Sequence, residues 1–275
     1  MARRPTRPSA AQTRAQRDSR NGIFKILGVI VVVAAVAITY MRVAASNPDL
    51  DQATLCPSDP PSITVLLVDV TDPMNVPQRQ DFRNQLAAMR NAIPRYGKLI
   101  VAQVDATNQQ LIRPVIVRCN PGTSADVDEA TGDPAATQRR YEEQFVAPLD
   151  EAFARISEAS GAHQSPIMES MQSVALTELL TPDAADKDRR IILVSDLLQN
   201  TDGANFYDGL PDPDEFVRGQ AFRRARTDLR GIEVELWMLE RGDAASTQPR
   251  ALIDLWDRIV AEQGGTVMRA YNVSG

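Results

Sequence analysis

Ile63-Thr64-Val65-Leu66-Leu67-Val68-Asp69-Val70-Thr71-Asp72-Pro73-Met74 decides how the rest of the chain is read. Its first half is a continuous run, rich in β-branched residues and nearly free of polar ones. Such a run suits a strand buried on both faces of a parallel sheet, because a strand with one wet face would alternate. The run stops at Asp69, and hydroxyl, carboxylate and proline follow at once. A buried strand with this exit delivers oxygen atoms to the carboxyl edge of a sheet, where open α/β sheets bind their ligands. The plainer alternative is a strand exit in which Asp69 and Thr71 only bond turn backbone.

Outward from this strand, helices and strands alternate. Residues 75–93 are expected to form a helix whose buried stripe is Phe82, Leu86, Met89 and Ile93, spaced by three and four. Strands are expected at 98–106 and 111–118. The link between them is too short for a crossover helix, so they should pair as an antiparallel hairpin. A loop at 120–137 contains Asp126-Val127-Asp128, the opening of a calcium loop. Ala130 and Thr131 stand where that loop needs a ligand and a glycine, so the match fails. Helices are expected at 138–160, with Pro148 bending it, then at 165–180, 214–229 and 248–263. Strands are expected at 189–195, 232–239 and 266–273. The order implies an α/β fold, a doubly wound, mostly parallel sheet with one antiparallel edge strand.

Before the strand the chain changes character. Residues 1–22 carry Arg, Pro, Ser and Gln without periodicity and read as a disordered basic tail. Residues 23–41 are apolar except for Lys25 and Thr39, about the length of a transmembrane helix. The basic excess precedes this span, which places the tail in the cytoplasm and the C-terminal part across the inner membrane, in the periplasm. A cleaved signal peptide ending at Val43-Ala44-Ala45 is the competing reading. The long leader and long apolar stretch favour the uncleaved anchor. Residues 42–62, with Pro48, Pro57, Pro60 and Pro61, read as a linker to a domain over 63–275.

Charge and composition narrow the function. The net charge of −6 conceals an asymmetry: the first 45 residues hold eight basic side chains against Asp18 alone, leaving 22 basic and 35 acidic residues beyond them. So acidic a domain argues against nucleic acid as a partner. Three lysines among 30 basic residues, with abundant alanine, is the habit of GC-rich bacterial genomes. Cys56 and Cys119 lack the clustering of a zinc site. Cys56 precedes the amino end of the first strand, and Cys119 ends the returning arm of the hairpin at that same edge. An exported domain would therefore join them as a disulfide.

Parallel strands share their carboxyl edge, so Asp69 and Thr71 should meet Asp196, which follows the strand at 189–195. Ser165, opening the helix that feeds that strand, should reach the same place. This pattern resembles the von Willebrand factor type A (VWA) family. The resemblance covers roughly residues 62–273. It implies a metal-ion-dependent adhesion site built from an Asp-x-Ser-x-Ser motif, a Thr-Pro and a later Asp-Gly. Here Asp69 and Thr71 match the motif, Pro73 replaces its second serine, Ser165-Pro166 replaces Thr-Pro, and Asp196 lacks the following glycine. The resemblance thus implies a degenerate site. Asp69, Thr71, Ser165 and Asp196, with Asp72 or water covering the gap, would hold Mg²⁺ or another divalent cation. The metal-free alternative leaves these residues capping turns. The function implied is a membrane-anchored protein-binding module, not an enzyme, with a protein partner that the sequence does not name. The enzymatic alternative is a metal-dependent phosphohydrolase with Asp69 as nucleophile and Lys187 assisting. Thr71 stands where such an enzyme needs a second carboxylate. That reading also lacks an activated nucleophile, and His163 is expected on a turn in a solvated role. No glycine-rich phosphate loop or Gly-x-Ser-x-Gly elbow is present.

Overall fold

In the computed structural model, which describes residues 25–41, 48–69, 74–104, 112–129, 132–158, 164–241 and 248–273, Ser62–Val68 is a strand, β1, buried at every position. Successive side chains point to opposite faces. Val65 and Leu67 enter one hydrophobic core, shared with Ile191, Leu193, Val234 and Leu236. Leu66 and Val68 enter the other, shared with Leu99, Val101, Ile192 and Trp237. Both faces are therefore dry, which is why the sequence of β1 does not alternate.

Five further strands complete the sheet: β2 (Lys98–Gln103), β3 (Ile116–Cys119), β4 (Asp188–Ser195), β7 (Ile232–Leu239) and β8 (Thr266–Val273). Their order is β3-β2-β1-β4-β7-β8. β3 runs antiparallel to β2, with Lys98 opposite Cys119, and all other neighbours are parallel. One face is covered by α2 (Val76–Ala92) and by α3 (Pro134–Tyr141) running into α4 (Ala147–Glu158). Phe82, Leu86, Met89 and Ile93 of the predicted stripe pack there with Tyr141, Phe145, Leu149 and Phe153. The other face is covered by α5 (Ile167–Val174) and α8 (Ala251–Glu262), through Ile167, Met171, Leu255 and Trp256. Each such large apolar side chain contributes about 1.5–3 kcal/mol by leaving water. The doubly wound α/β fold with an antiparallel edge strand is thus present.

Several boundaries differ from those expected. The helix expected from 138 starts at Pro134, because Asp133 caps it by accepting from the Ala136 N–H at 2.9 Å. The disturbance expected at Pro148 lies just before it, as one wide turn over Glu142–Val146 that is closed by the Ala147 N–H on the Glu142 carbonyl. Proline has no N–H to continue the regular ladder, and the widened turn accommodates that loss. The helix expected over 214–229 is broken into α6 (Pro213–Phe216) and α7 (Gln220–Ala225) at Gly219. The helix expected from 165 starts at Ile167, since Ser165 is held in an isolated bridge to Asn200. The polar loop 199–213 contains a small hairpin of β5 (Asn200–Thr201) and β6 (Ala204–Asn205).

The chain divides into two units, 1–49 and 50–275. The first contains a continuous helix over 25–41, α1, whose side chains are exposed throughout. Among the described residues no helix is long and apolar enough to cross a membrane. The expected span begins at residue 23, and its first two residues, like the expected tail 1–22, lie outside the described residues. The second unit begins earlier than the domain boundary read from sequence. Residues expected to be linker fold back on themselves from Leu50, which bridges Pro57, while the Asp51 carboxylate accepts from the Ala53 and Thr54 backbone. The Cys119 N–H reaches the Thr54 carbonyl at 2.8 Å. Cys56 and Cys119 form a disulfide with Cα atoms 4.8 Å apart. The expected pairing at the amino edge is therefore present.

Candidate functional site

β1 and β4 are neighbours in register, Val68 beside Val194, so their exits emerge together at the carboxyl edge. The Asp69 N–H closes onto the Val194 carbonyl at 2.7 Å, which extends the pairing by one residue and fixes the Asp69 side chain beside Ser195 and Asp196. Asp69, Ser165, Ser195 and Asp196 are all buried. Ser165 arrives from a different element. Its N–H and C=O exchange two 2.9 Å bonds with Asn200, which lies just after the β4 exit. That bridge aims the Ser165 hydroxyl at Asp69 Oδ2, to which it donates at 2.6 Å. The Ser195 hydroxyl donates to the same oxygen at 3.0 Å. Three of the predicted site residues, Asp69, Ser165 and Asp196, are thus brought together. Thr71 and Asp72 lie outside the described residues, as does His163.

Asp196 is enclosed on all sides. Its Oδ1 accepts from the Leu198 N–H at 2.9 Å. Its Oδ2 accepts from the Tyr207 hydroxyl at 2.8 Å and from Arg241 Nε at 3.0 Å, with Arg241 Nη2 on the same oxygen. Gln248 holds the far wall: its amide nitrogen donates to the Asp196 and Leu239 carbonyls, and its amide oxygen accepts the Arg241 N–H. Burial, and next the like charge of Asp69, push the Asp196 carboxyl up to about 6. The Leu198 N–H and the hydroxyls of Tyr207 and Ser195 act in the opposite sense and favour the carboxylate. Tyr207 is raised well above the ordinary tyrosine range by its own burial and by Asp196.

No family model matches the chain, and no curated protein sequence matches it. A likeness was found among solved structures. It is to an aerotolerance-related membrane protein from Bacteroides fragilis NCTC 9343, crystallised with multiple mutations to serines. The identity is 10%, the match covers 78% of this chain and 92% of that one, and the TM-score is 0.39.

The residue after Asp196 carries a backbone signature. Leu197 has φ +64°, the left-handed region that favours glycine and costs other residues energy. It is held there from three sides. Its side chain is fully buried, its N–H reaches the Ser195 hydroxyl, and its carbonyl accepts the Trp256 indole N–H at 2.8 Å. Leu197, where the VWA resemblance calls for a glycine, thus takes a backbone conformation that favours glycine.

Donor chemistry decides how well a divalent cation would fit. Asp69, Ser165 and Asp196 provide oxygen atoms of the right kind. Yet the groups facing Asp196 Oδ2 are a phenol O–H and two N–H groups of one guanidinium cation, all donors. A divalent ion at that oxygen would displace the guanidinium or sit against its like charge. Among the described residues, no three His, Cys, Asp or Glu side chains gather to hold a metal. The arrangement fits a divalent cation on Asp196 poorly.

Ser195, Tyr207, Arg241 and Gln248 were not expected from sequence. Arg241 had a usable signal, because it lies two residues past the end of a parallel strand, β7, at the edge where β1 and β4 end. Two surface clefts lie elsewhere. One opens at the amino edge among Ser62, Thr64, Lys187 and Arg189, the other between α2 and α4 around Phe82, Leu86 and Phe153.

Proposed function

We propose that this chain is a single-pass, inner-membrane-anchored, VWA-like protein-binding module whose α/β domain stands on the periplasmic side. The observation that carries this reading is the meeting of Asp69, Ser165 and Asp196 at the carboxyl edge of a doubly wound sheet. Three elements far apart in sequence deliver those side chains to one place. That convergence is where an α/β sheet presents a ligand surface. Both carboxylates already accept hydroxyl or guanidinium donors, a setting for positioning the edge loops and not for nucleophilic attack. The partner surface comprises those loops, including the exposed segment Tyr207–Gly209 above Asp196.

The anchor is helix α1 with the residues that flank it. Its exposed apolar side chains need a nonaqueous environment, and the arginine-rich leader orients it. The Cys56–Cys119 disulfide supports the export half of the proposal, because such bonds persist in the periplasm and are rare in the cytoplasm. In-cell crosslinking from membranes, followed by identification of the adduct, tests the binding role. A protein adduct that depends on the carboxyl-edge loops supports it. Turnover of a phosphomonoester that Asp69→Asn abolishes would replace it with the phosphohydrolase reading.

A further inference from the structure

We infer that Arg241 supplies the positive charge of this sheet-edge site in place of a divalent cation, so the site is built and held without metal. The inference rests on reading the edge as VWA-like, since that reading is what raises the question of a metal. Its observations are separate. Asp196 is a buried carboxylate whose side chain is 1% exposed, and an isolated charge so placed is expensive. It must be neutralised by a proton, a metal or a side-chain cation. Arg241 is in contact with it, through both Nε and Nη2 on one oxygen.

The backbone of Arg241 is also tied to this edge, without use of the Asp196 carboxylate. The Arg241 N–H donates to the Gln248 amide oxygen at 2.8 Å, and Gln248 Nε2 donates to the Asp196 and Leu239 carbonyls, each at 2.9 Å. One glutamine thus ties the backbone that carries the cation to the backbone that carries the anion. Tyr207 completes the enclosure as a third donor to Oδ2. A metal site converges acceptors on a vacant centre, whereas here donors converge on an oxygen. Arg suits this duty better than Lys, because its fork places two N–H groups on one carboxylate and stays charged when partly buried.

The test uses the full chain in detergent, with Mg²⁺, Ca²⁺ and Mn²⁺ as probes and EDTA as the control. The wild type should melt at the same temperature in EDTA and in millimolar concentrations of each cation. Mn²⁺ titrated by electron paramagnetic resonance should bind it no more tightly than it binds Asp196→Asn. Arg241→Gln, which removes the charge and keeps a polar side chain, should melt lower in EDTA. It should also bind Mn²⁺ at least roughly tenfold more tightly than the wild type does, a difference of about 1.4 kcal/mol. Saturable one-to-one Mn²⁺ binding to the wild type, lost in Asp196→Asn, would overturn the inference. So would an Arg241→Gln chain that melts with the wild type. If Arg241→Gln does not accumulate, the double variant Arg241→Gln with Asp196→Asn, which removes both charges, takes its place: recovery of the folded chain supports the inference, and failure to recover it overturns it. None of these readouts involves a partner, so they can fail while the binding role stands, and the reverse.

Discussion

Asp196 accepts from Leu198, Tyr207 and Arg241, and these partners differ in what they offer. The backbone amide and the phenol solvate the carboxylate, but only the guanidinium neutralises it. Removing one partner of a buried ion pair leaves an uncompensated charge, which costs about 3–5 kcal/mol when both are fully buried. Arg241 is 22% exposed, so Arg241→Ala should cost somewhat less, about 3 kcal/mol, by urea denaturation. Tyr207→Phe removes a neutral donor and should cost about 1 kcal/mol in the same experiment. Equal losses would show that the guanidinium is not the principal compensating group. Ser165→Ala leaves Asp69 with the Ser195 hydroxyl and removes a buried 2.6 Å bond. It should destabilise by roughly 1–2 kcal/mol, with Ser165→Thr closer to wild type because it keeps the hydroxyl.

The disulfide joins two segments that the sheet alone would leave unconnected. Cys119 closes the antiparallel edge strand β3, and Cys56 belongs to the turn-rich segment before β1, at a sequence separation of 63. Closing a loop of that length restricts the unfolded chain, so Cys56→Ser with Cys119→Ser should lower stability by about 2–4 kcal/mol, measured by chemical denaturation under oxidising conditions. An unchanged midpoint would mean that the strand pairing, not the crosslink, fixes this corner. The pairing was legible because the hairpin returns Cys119 to the edge where β1 begins. β1, β2, β4, β7, α2 and α8 were legible for a related reason: each carries a run or a stripe whose period matches its burial. The missed features have weaker local signals. Ser165 carries a helix-opening Ser-Pro, but its bridge to Asn200 is long-range and delays the helix to Ile167. Gly219 breaks a helix whose flanks are otherwise helix-compatible. Tyr207 comes from a polar stretch, and nothing local separates it from a solvated side chain until the fold brings it to Asp196, while Arg241 carried only the positional signal of lying just past β7.

The proposed orientation rests on the distribution of charge along the chain. A leader of arginines precedes an apolar helix, and an acidic α/β domain follows it. Under the proposed topology, a reporter active only in oxidising compartments, fused after Gly275, should be active in cells, whereas activity confined to a cytoplasmic reporter would reverse the orientation. Under the same proposal, opposite edges of the sheet have separate duties. The amino edge is tied by Cys56–Cys119, while the carboxyl edge gathers Asp69, Ser165, Asp196 and Arg241 beneath the loops proposed above to meet a partner. One measurement tests that division most directly. A photo-crosslinking residue is placed at exposed Asp208, beside Tyr207 at the carboxyl edge, and separately at exposed Asp186, just before the amino end of β4. Irradiated in cells, the Asp208 position should yield a discrete protein adduct and the Asp186 position should not. Adducts from Asp186 alone, or from neither position, would contradict a binding surface at the carboxyl edge.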